Sequence, residues 1–184
     1  MLRITDILDK AQAYLAPAEL EMIEKAYVFS ASVHQGQVRL SGEPYLTHPM
    51  EVTGMLVDMR MDASTLITGL LHDTVEDTLA TPKQIEENFG EEVAFLVSGL
   101  TKISKITFGS QEERQAENFR KMMLAMSADI RILVVRLADR IHNMRTLQFQ
   151  TPEKQHYIAK ETLDLYAPLA NRLGINWMKV ELED

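Results

Sequence analysis

The spacing of apolar residues along the chain is helical almost throughout. Apolar positions recur at intervals of three and four residues, and no run of useful length alternates apolar and polar residues as a half-buried strand does. The segment TPKQIEENFG shows how the helices are delimited. Thr81 is predicted to cap a helix with Pro82 in its first turn, Gln84 completes a capping box, and Gly90 ends the helix.

Two further segments carry the same signals for a helix start. Ser110 is followed three residues later by Glu113, and Thr151 directly precedes Pro152. Aromatic residues make up only 7% of the chain, which also disfavours a sheet. We therefore predict an all-α fold, with about eight to ten helices joined by short connections and no linker.

Composition narrows the class of protein. With 184 residues, 46% of them hydrophobic, the chain is expected to form a single domain over residues 1–184. It has no cysteine, which excludes disulfides and thiolate chemistry and fits a cytoplasmic protein. No apolar run approaches the roughly 18 residues of a membrane-spanning helix. A net charge of −8 argues against a nucleic-acid surface, so neither a membrane nor a nucleic-acid partner is expected.

The segment LLHDTVEDT concentrates one imidazole and three carboxylates directly after an apolar run. A helix capped by Asp62 is predicted to continue through it. Residues four apart then share a face, so His72 lies above Glu76 and Asp73 lies above Asp77. One interpretation is the solvated acidic end of a surface helix. The other is a divalent-metal site, in which the imidazole and one carboxylate bind the ion and the remaining acids act on water.

Other histidines are candidates to complete such a site. His34 is interpreted as an ordinary helix-end residue, and His156 is predicted to lie on a solvated face. His48 directly precedes Pro49, which is expected in the first turn of the next helix. We predict that His48 caps that helix in a non-helical conformation, a position that suits a metal ligand.

A second unusual segment is ILVVRLADRIHNMRTL, whose apolar residues predict a central helix. Asp139 interrupts the apolar run, and a buried aspartate needs a partner. That partner is either Arg136 or Arg140 in a structural ion pair, or a metal ion. Asn143 lies one turn later, and Thr146 continues close to the same face.

Together these segments resemble a known family. The order His…His-Asp…Asp matches the ligand order of the HD superfamily of metal-dependent phosphohydrolases. The segments RLSGEPYLTHP, GLLHDTVEDT, LADRIHNMRTL and ETLDLYAPLANRLGI occur in the order found in the N-terminal hydrolase domain of the RelA/SpoT homologue family. The resemblance covers about residues 20–184. It implies the HD-type helical fold and hydrolysis of the alarmones ppGpp and pppGpp.

The resemblance also implies a role for particular residues. Four residues would bind one Mn²⁺ ion, namely His48, His72, Asp73 and Asp139. Glu76 and Asp77 would orient and deprotonate the water that removes the 3′-pyrophosphate. Contacts to the nucleotide are expected from Arg39, Ser41, Asn143, Thr146 and, as a phosphate contact, Lys102. Tyr45 is expected to pack rather than to bind.

The resemblance leaves some alternatives open. The segment WMKVELED stops where longer relatives continue towards a synthetase domain. We expect a hydrolase domain excised from such a chain, with a natural stand-alone hydrolase as the alternative. Two rival functions remain: an HD phosphohydrolase acting on another nucleotide, and an inactive regulatory domain that only binds metal.

Overall fold

The structure is a computed structural model, and it describes residues 2–104 and 129–184, without the side chains of residues 102–104. The chain divides into two compact units, Met1–Ser104 and Lys105–Asp184.

The first unit is built from helices. Their bounds are α1 Ile4–Ala11, α2 Pro17–Val33, α3 Thr47–Asp58, α4 Ala63–Leu71, α5 Thr74–Asp77 and α6 Pro82–Ser104. Helix α4 packs against α2, α3 and α6, and its residues Leu66, Leu70 and Leu71 are almost fully buried. It is therefore the central helix of the unit.

Gly69 lies in the contact between α3 and α4. A Cβ atom at Gly69 would lie 2.7 Å from Leu56 Cδ1 and 2.8 Å from Thr53 Oγ1. These distances are well inside van der Waals contact, so a side chain at this position would displace those of Leu56 and Thr53, whereas the nearest backbone atom, Thr53 Cα, lies at an ordinary 3.6 Å. The contact brings the start of α3, which carries His48, beside the end of α4, which precedes His72. The packing of two helices thus positions both imidazoles.

The described part of the second unit is also helical. It contains α7 Ile130–Arg145, a 3₁₀ turn Leu147–Phe149, α8 Pro152–Glu161, a π-helical turn Thr162–Tyr166, α9 Ala167–Arg172 and α10 Asn176–Glu183. Helix α7 buries Leu133, Leu137 and Ile141, and α10 packs against α7, the π-helical turn and α9. The apolar segment predicted to be a central helix is therefore α7.

The predicted all-α class is confirmed. Residues 2–104 and 129–184 contain no β-strand, although Val38 and Pro44 form one isolated antiparallel bridge. No helix in these ranges has the length and apolar character needed to cross a membrane.

The predicted helix caps are confirmed at three starts. Thr81 Oγ1 accepts from the backbone amide of Gln84, whose side chain accepts from the amide of Thr81. Asp62 caps α4, and Thr151 caps α8. Gly90, with φ of 87°, breaks the helical conformation inside α6 as predicted. The helix start predicted at Ser110 and Glu113 lies outside the described residues.

Candidate metal centre

Three side chains of the first unit converge. The Nε2 atoms of His48 and His72 lie 3.2 Å apart. Asp73 Oδ2 lies 3.0 Å from Nε2 of His72 and 3.4 Å from Nε2 of His48. Both imidazoles are buried, with 2% and 3% of their surfaces exposed. Two ring nitrogens and one carboxylate oxygen therefore lie within 3.4 Å of one another, and 22% of the Asp73 side chain is exposed to solvent.

The protonation of His72 suits this donor set. Its Nδ1 lies 2.8 Å from the carbonyl oxygen of Gly69, which can only accept, so Nδ1 carries the proton. In the neutral ring the lone pair then lies on Nε2, which points towards His48 and Asp73. A second hydrogen bond of this type is what orients histidine ligands in metalloproteins. These residues fit a divalent cation.

Electrostatics keep the nearby carboxylate ionised. Burial acts to raise the pKa of Asp73, but the positive charge and hydrogen bonds that the imidazoles of His72 and His48 supply when they are protonated outweigh it and hold that pKa well below its usual range. A cation bound between the unprotonated ring nitrogens would supply the same positive charge beside the Asp73 carboxylate.

The predicted continuous helix through LLHDTVEDT is wrong. Helix α4 ends at Leu71, residues 72 and 73 form a turn, and α5 begins at Thr74. Two side chains satisfy carbonyls of the last turn, because His72 donates to the carbonyl of Gly69 and Thr74 Oγ1 donates to that of Leu71 at 2.7 Å. The turn, rather than a straight helix face, therefore presents His72 and Asp73.

The prediction that His48 caps its helix from a non-helical position is also wrong. Helix α3 begins one residue earlier, at Thr47, and the His48 amide donates to the carbonyl of Tyr45 at 3.0 Å. A residue before proline is usually biased away from helix. Here the backbone already turns at Leu46, so Pro49 enters within the first turn, where its missing N–H costs nothing.

The two remaining acids lie on α5, and both are exposed. The Tyr45 hydroxyl donates to Asp77 Oδ2 at 2.5 Å and also contacts Asp73 Oδ2 at 2.9 Å. The ring of Tyr45 stacks on His34, with centroids 4.4 Å apart. Its predicted packing is confirmed, but its link between Asp73 and Asp77 was missed. The sequence offered one signal for this role: Tyr45 lies three residues before His48, so the two side chains can share one turn.

The segment RLSGEPY forms a tight turn closed by the bridge between Val38 and Pro44. The amide of Arg39 donates to the carbonyl of Glu43 at 2.8 Å, and Gly42 adopts φ of 84°, a conformation that favours glycine. Ser41 Oγ donates to Glu43 Oε2 at 3.1 Å. The turn fixes the backbone of Arg39 and Ser41, and their nucleotide contacts stay predictions. Lys102 belongs to α6, but its side chain lies outside the described residues.

In the second unit, Asp139 is 6% exposed. Its Oδ2 accepts from Arg136 Nη1 at 2.9 Å and its Oδ1 accepts from Asn143 Nδ2 at 2.6 Å. The ion pair is therefore made with Arg136, whereas Arg140 donates to Glu161 at 2.5 Å. A structural pair does not exclude a ligand role, so the metal-binding role of Asp139 stays a prediction.

The structure also places three other residues discussed in the sequence. The Thr146 hydroxyl donates to the carbonyl of His142 at 3.0 Å, at the end of α7. His34 ends α2, and His156 is exposed, and both predictions are confirmed. The predicted nucleotide contact of Thr146 is not tested by these bonds.

Known proteins share this sequence and fold. The family model described as HD domain matches residues 26–176. A GTP pyrophosphokinase of Myxococcus xanthus is 62% identical over 93% of this chain and 23% of its own length. The bifunctional (p)ppGpp synthase/hydrolase SpoT of Escherichia coli K12 is 50% identical over 94% of this chain and 25% of its own length. This chain thus spans about a quarter of the length of these relatives.

A solved structure is similar over nearly the whole chain. It is that of a metazoan orthologue of SpoT that hydrolyses ppGpp and plays a role in starvation responses. The TM-score is 0.62 and the identity 25%, over 92% of this chain and 94% of that one. The resemblance to the RelA/SpoT homologues is confirmed. The matched family and the histidine and aspartate donors imply a divalent metal, and the chain belongs to the HD domain family.

Proposed function

We propose that the chain hydrolyses the 3′-pyrophosphate of ppGpp and pppGpp, giving GDP or GTP and pyrophosphate, in the alarmone turnover of the stringent response. The observation that carries this proposal is the cluster of His48, His72 and Asp73, followed within four residues by two exposed carboxylates. One cluster supplies donors for a cation, and the neighbouring acids can accept a proton from water.

The proposal assigns Mn²⁺ as the cation, held by His48, His72, Asp73 and Asp139. Imidazole and carboxylate donors suit an intermediate cation, and the spacing alone would also accept Fe²⁺, Co²⁺ or Zn²⁺. When bound, such an ion lowers the pKa of water and offsets the charge that develops on phosphorus.

The chain's own residues then provide orientation and proton transfer. Glu76 and Asp77 orient the attacking water and take its proton. The Asp77 carboxylate accepts a hydrogen bond from the hydroxyl of Tyr45, 2.5 Å from its Oδ2. The short helix α5 supports both acids on one turn directly after the metal-binding turn.

Recognition of the nucleotide is assigned to the turn RLSGEPY and the end of α7. Arg39 presents a planar guanidinium that can stack on guanine, and Ser41 can bond to the base edge. Asn143 and Thr146 contact the nucleotide, and Lys102 contacts a phosphate. The names of the relatives, which include a guanosine-3′,5′-bis(diphosphate) 3′-pyrophosphohydrolase of Escherichia coli O157:H7, support a guanosine substrate.

The setting of the activity belongs to the same proposal. Relatives about four times as long as this chain, one of them named as a synthase and hydrolase, support a synthetase domain within the same polypeptide. The absence of cysteine supports a cytoplasmic location.

The test is to incubate the purified chain with Mn²⁺ and ppGpp and to identify the products by chromatography. GDP and pyrophosphate in equal amounts are expected. Two matched reactions serve as controls: one with EDTA in place of Mn²⁺, and one with GDP, which lacks the 3′ group. Release of orthophosphate would indicate a different phosphohydrolase, and binding of Mn²⁺ without turnover of any guanosine nucleotide would indicate a regulatory domain.

A further inference from the structure

The hydroxyl of Tyr45 lies between two carboxylates. It is 2.5 Å from Asp77 Oδ2 and 2.9 Å from Asp73 Oδ2. The first acid belongs to the proposed water-activating pair and the second to the metal cluster. A single side chain from the segment before α3 therefore contacts both parts of the proposed site.

The ring of Tyr45 packs against His34, at the end of α2. His34 stacks on it at a centroid distance of 4.4 Å and an angle of 18°. His34 Nδ1 donates to Gln37 Oε1 at 2.8 Å, because an amide oxygen only accepts, and Gln37 Nε2 donates to the carbonyl of Asp77 at 3.0 Å. These contacts close a loop from Asp77 through Tyr45, His34 and Gln37 back to Asp77. Both the side chain and the backbone of this acid are thereby fixed.

The chemistry of a phenol limits what this hydroxyl can do. It carries one proton, so it donates to one carboxylate at a time. Two carboxylates sharing one donor also repel each other. A cation held by Asp73 would balance one negative charge and leave the hydroxyl proton of Tyr45 for Asp77.

We propose that Tyr45 is a positioning residue for the hydrolysis, which holds the Asp77 carboxylate in one orientation beside Asp73 through its hydroxyl. This inference rests on the proposed function for its catalytic consequence. Tyr45 touches no reacting atom in this scheme and acts through Asp77. The stack on His34 and the bonds of Gln37 set the orientation before substrate binds.

The first test replaces Tyr45 by phenylalanine, which keeps the ring and its stack on His34. With ppGpp and Mn²⁺, kcat is expected to fall roughly 10- to 100-fold, the range for losing one hydrogen bond to a charged group. KM is expected to stay within about threefold, since positioning of Asp77 affects the reaction more than ground-state binding. The melting shift caused by Mn²⁺ is expected to persist.

Tyr14→Phe provides a matched control. Its hydroxyl donates to the carbonyl of Met61 at 3.0 Å, so this variant also loses one tyrosine hydrogen bond. It is expected to lower stability slightly and to leave kcat unchanged. An unchanged kcat in Tyr45→Phe, or equal losses in the two variants, would overturn the positioning role.

A double-mutant cycle tests whether Tyr45 acts through Asp77. In an Asp77→Ala background, which has no side-chain acceptor, Tyr45→Phe is expected to reduce kcat by no more than about twofold further. If the two losses multiply instead, Tyr45 acts by another route and the inference is wrong.

The parent, Tyr45→Phe, Asp77→Ala and the double variant are also compared without metal or substrate, by urea unfolding in EDTA. The unfolding midpoints of Tyr45→Phe and Asp77→Ala are expected to be non-additive, because each change removes the same hydrogen bond. This readout separates the two proposals. If the effects on the unfolding midpoints are non-additive but the parent does not hydrolyse ppGpp, the proposed function is refuted and the hydrogen bond between Tyr45 and Asp77 is supported. If the effects on the midpoints are additive and the parent hydrolyses ppGpp, only the positioning role of Tyr45 is refuted.

Discussion

The Nε2 atoms of His48 and His72 lie 3.2 Å apart, with Asp73 Oδ2 within 3.4 Å of both. Because His72 donates its Nδ1 proton to the carbonyl of Gly69, its Nε2 lone pair points at His48. His48 Nε2–H can then donate to this lone pair, and a shared cation would take the place of that proton between the two nitrogens. This pair therefore provides the most direct test of the metal assignment.

Replacing His72 by alanine should abolish ppGpp hydrolysis and the rise in melting temperature caused by Mn²⁺. A ligand that binds only the folded state stabilises it in proportion to its affinity, and this variant loses a donor. Melting curves with Mn²⁺ and with EDTA measure the effect. His156→Ala is the control, because it removes an exposed histidine and should keep both properties. Equal Mn²⁺ shifts in His72→Ala and the parent would refute the ligand assignment.

Asp139→Ala separates a structural ion pair from a metal ligand. The variant loses hydrogen bonds from Arg136 and Asn143, so it should be less stable in EDTA by roughly 1–3 kcal/mol. If Asp139 also binds the cation, the Mn²⁺-induced melting shift and the hydrolysis should disappear as well. A destabilised variant that keeps the full Mn²⁺ shift would limit Asp139 to a structural role.

Glu76→Gln and Asp77→Asn test which acids act on water. Each substitution keeps the size of the side chain but removes the charge that accepts a proton. Turnover should fall by roughly 10²–10⁴-fold, the usual range for a general base. Calorimetry should still detect binding of Mn²⁺ and of ppGpp, because the metal donors are unchanged.

Glu87→Gln is the matched control for these variants, since Glu87 pairs with Lys83 on the surface of α6 and its side chain is 61% exposed. Near-parental turnover in both Glu76→Gln and Asp77→Asn would mean that the acids form only the solvated end of a helix. If either variant lost its metal while Asp73→Asn kept it, the roles would have to be exchanged.

Arg39→Ala should weaken nucleotide binding with a smaller effect on kcat. A guanidinium stacked on a base contributes about 0.5–2 kcal/mol, so KM should rise by about 2- to 30-fold. Steady-state kinetics with ppGpp measure this, and Arg3→Ala, at an arginine whose side chain is 76% exposed, should leave KM unchanged. If the parent hydrolysed the adenosine analogue as well as ppGpp, the base-recognition role of Arg39 and Ser41 would fail.

Asp129 makes the stability of α7 depend on pH. Its carboxylate caps the helix, and hydrogen bonds from Arg131 lower the pKa of Asp129. A lowered pKa in the folded state stabilises the fold above the unfolded value of about 3.9, and this contribution is lost as pH falls through the folded value.

Asp129→Asn keeps a good capping residue but removes the charge. It should reduce the free energy of unfolding at neutral pH by about 1 kcal/mol, and the difference should shrink as the pH falls below about 4. Urea unfolding at several pH values measures it. A difference that stayed constant down to about pH 2 would refute this account.

Local sequence determined much of the fold. Periodicity predicted the helical class, and the caps at Asp62, Thr81 and Thr151 were confirmed, because a cap depends only on residues within one turn. The order of histidines and aspartates identified the HD domain. His72 and Asp73 were nominated from the segment LLHDTVEDT and His48 from its place before Pro49, the resemblance joined them in one ligand set, and the structure brings these three together.

The ion-pair partner of Asp139 was left open by the sequence analysis, although the sequence contained a signal for it. Both Arg136 and Arg140 were candidate partners, and the structure selects Arg136. Residues three apart on a helix face each other, whereas adjacent residues do not. Helix geometry therefore already favoured Arg136. Only the tertiary structure gave Arg140 its partner Glu161, which lies 21 residues away.

The turn at His72 and Asp73 and the role of Tyr45 were decided by tertiary structure. The turn interrupts a segment whose apolar spacing is helical, because side chains satisfy the last carbonyls of α4. Tyr45 contacts acids that lie 28 and 32 residues further along the chain. Periodicity reports which face of a helix a residue occupies, but contacts over such separations exist only after α2, α3 and α4 have packed together.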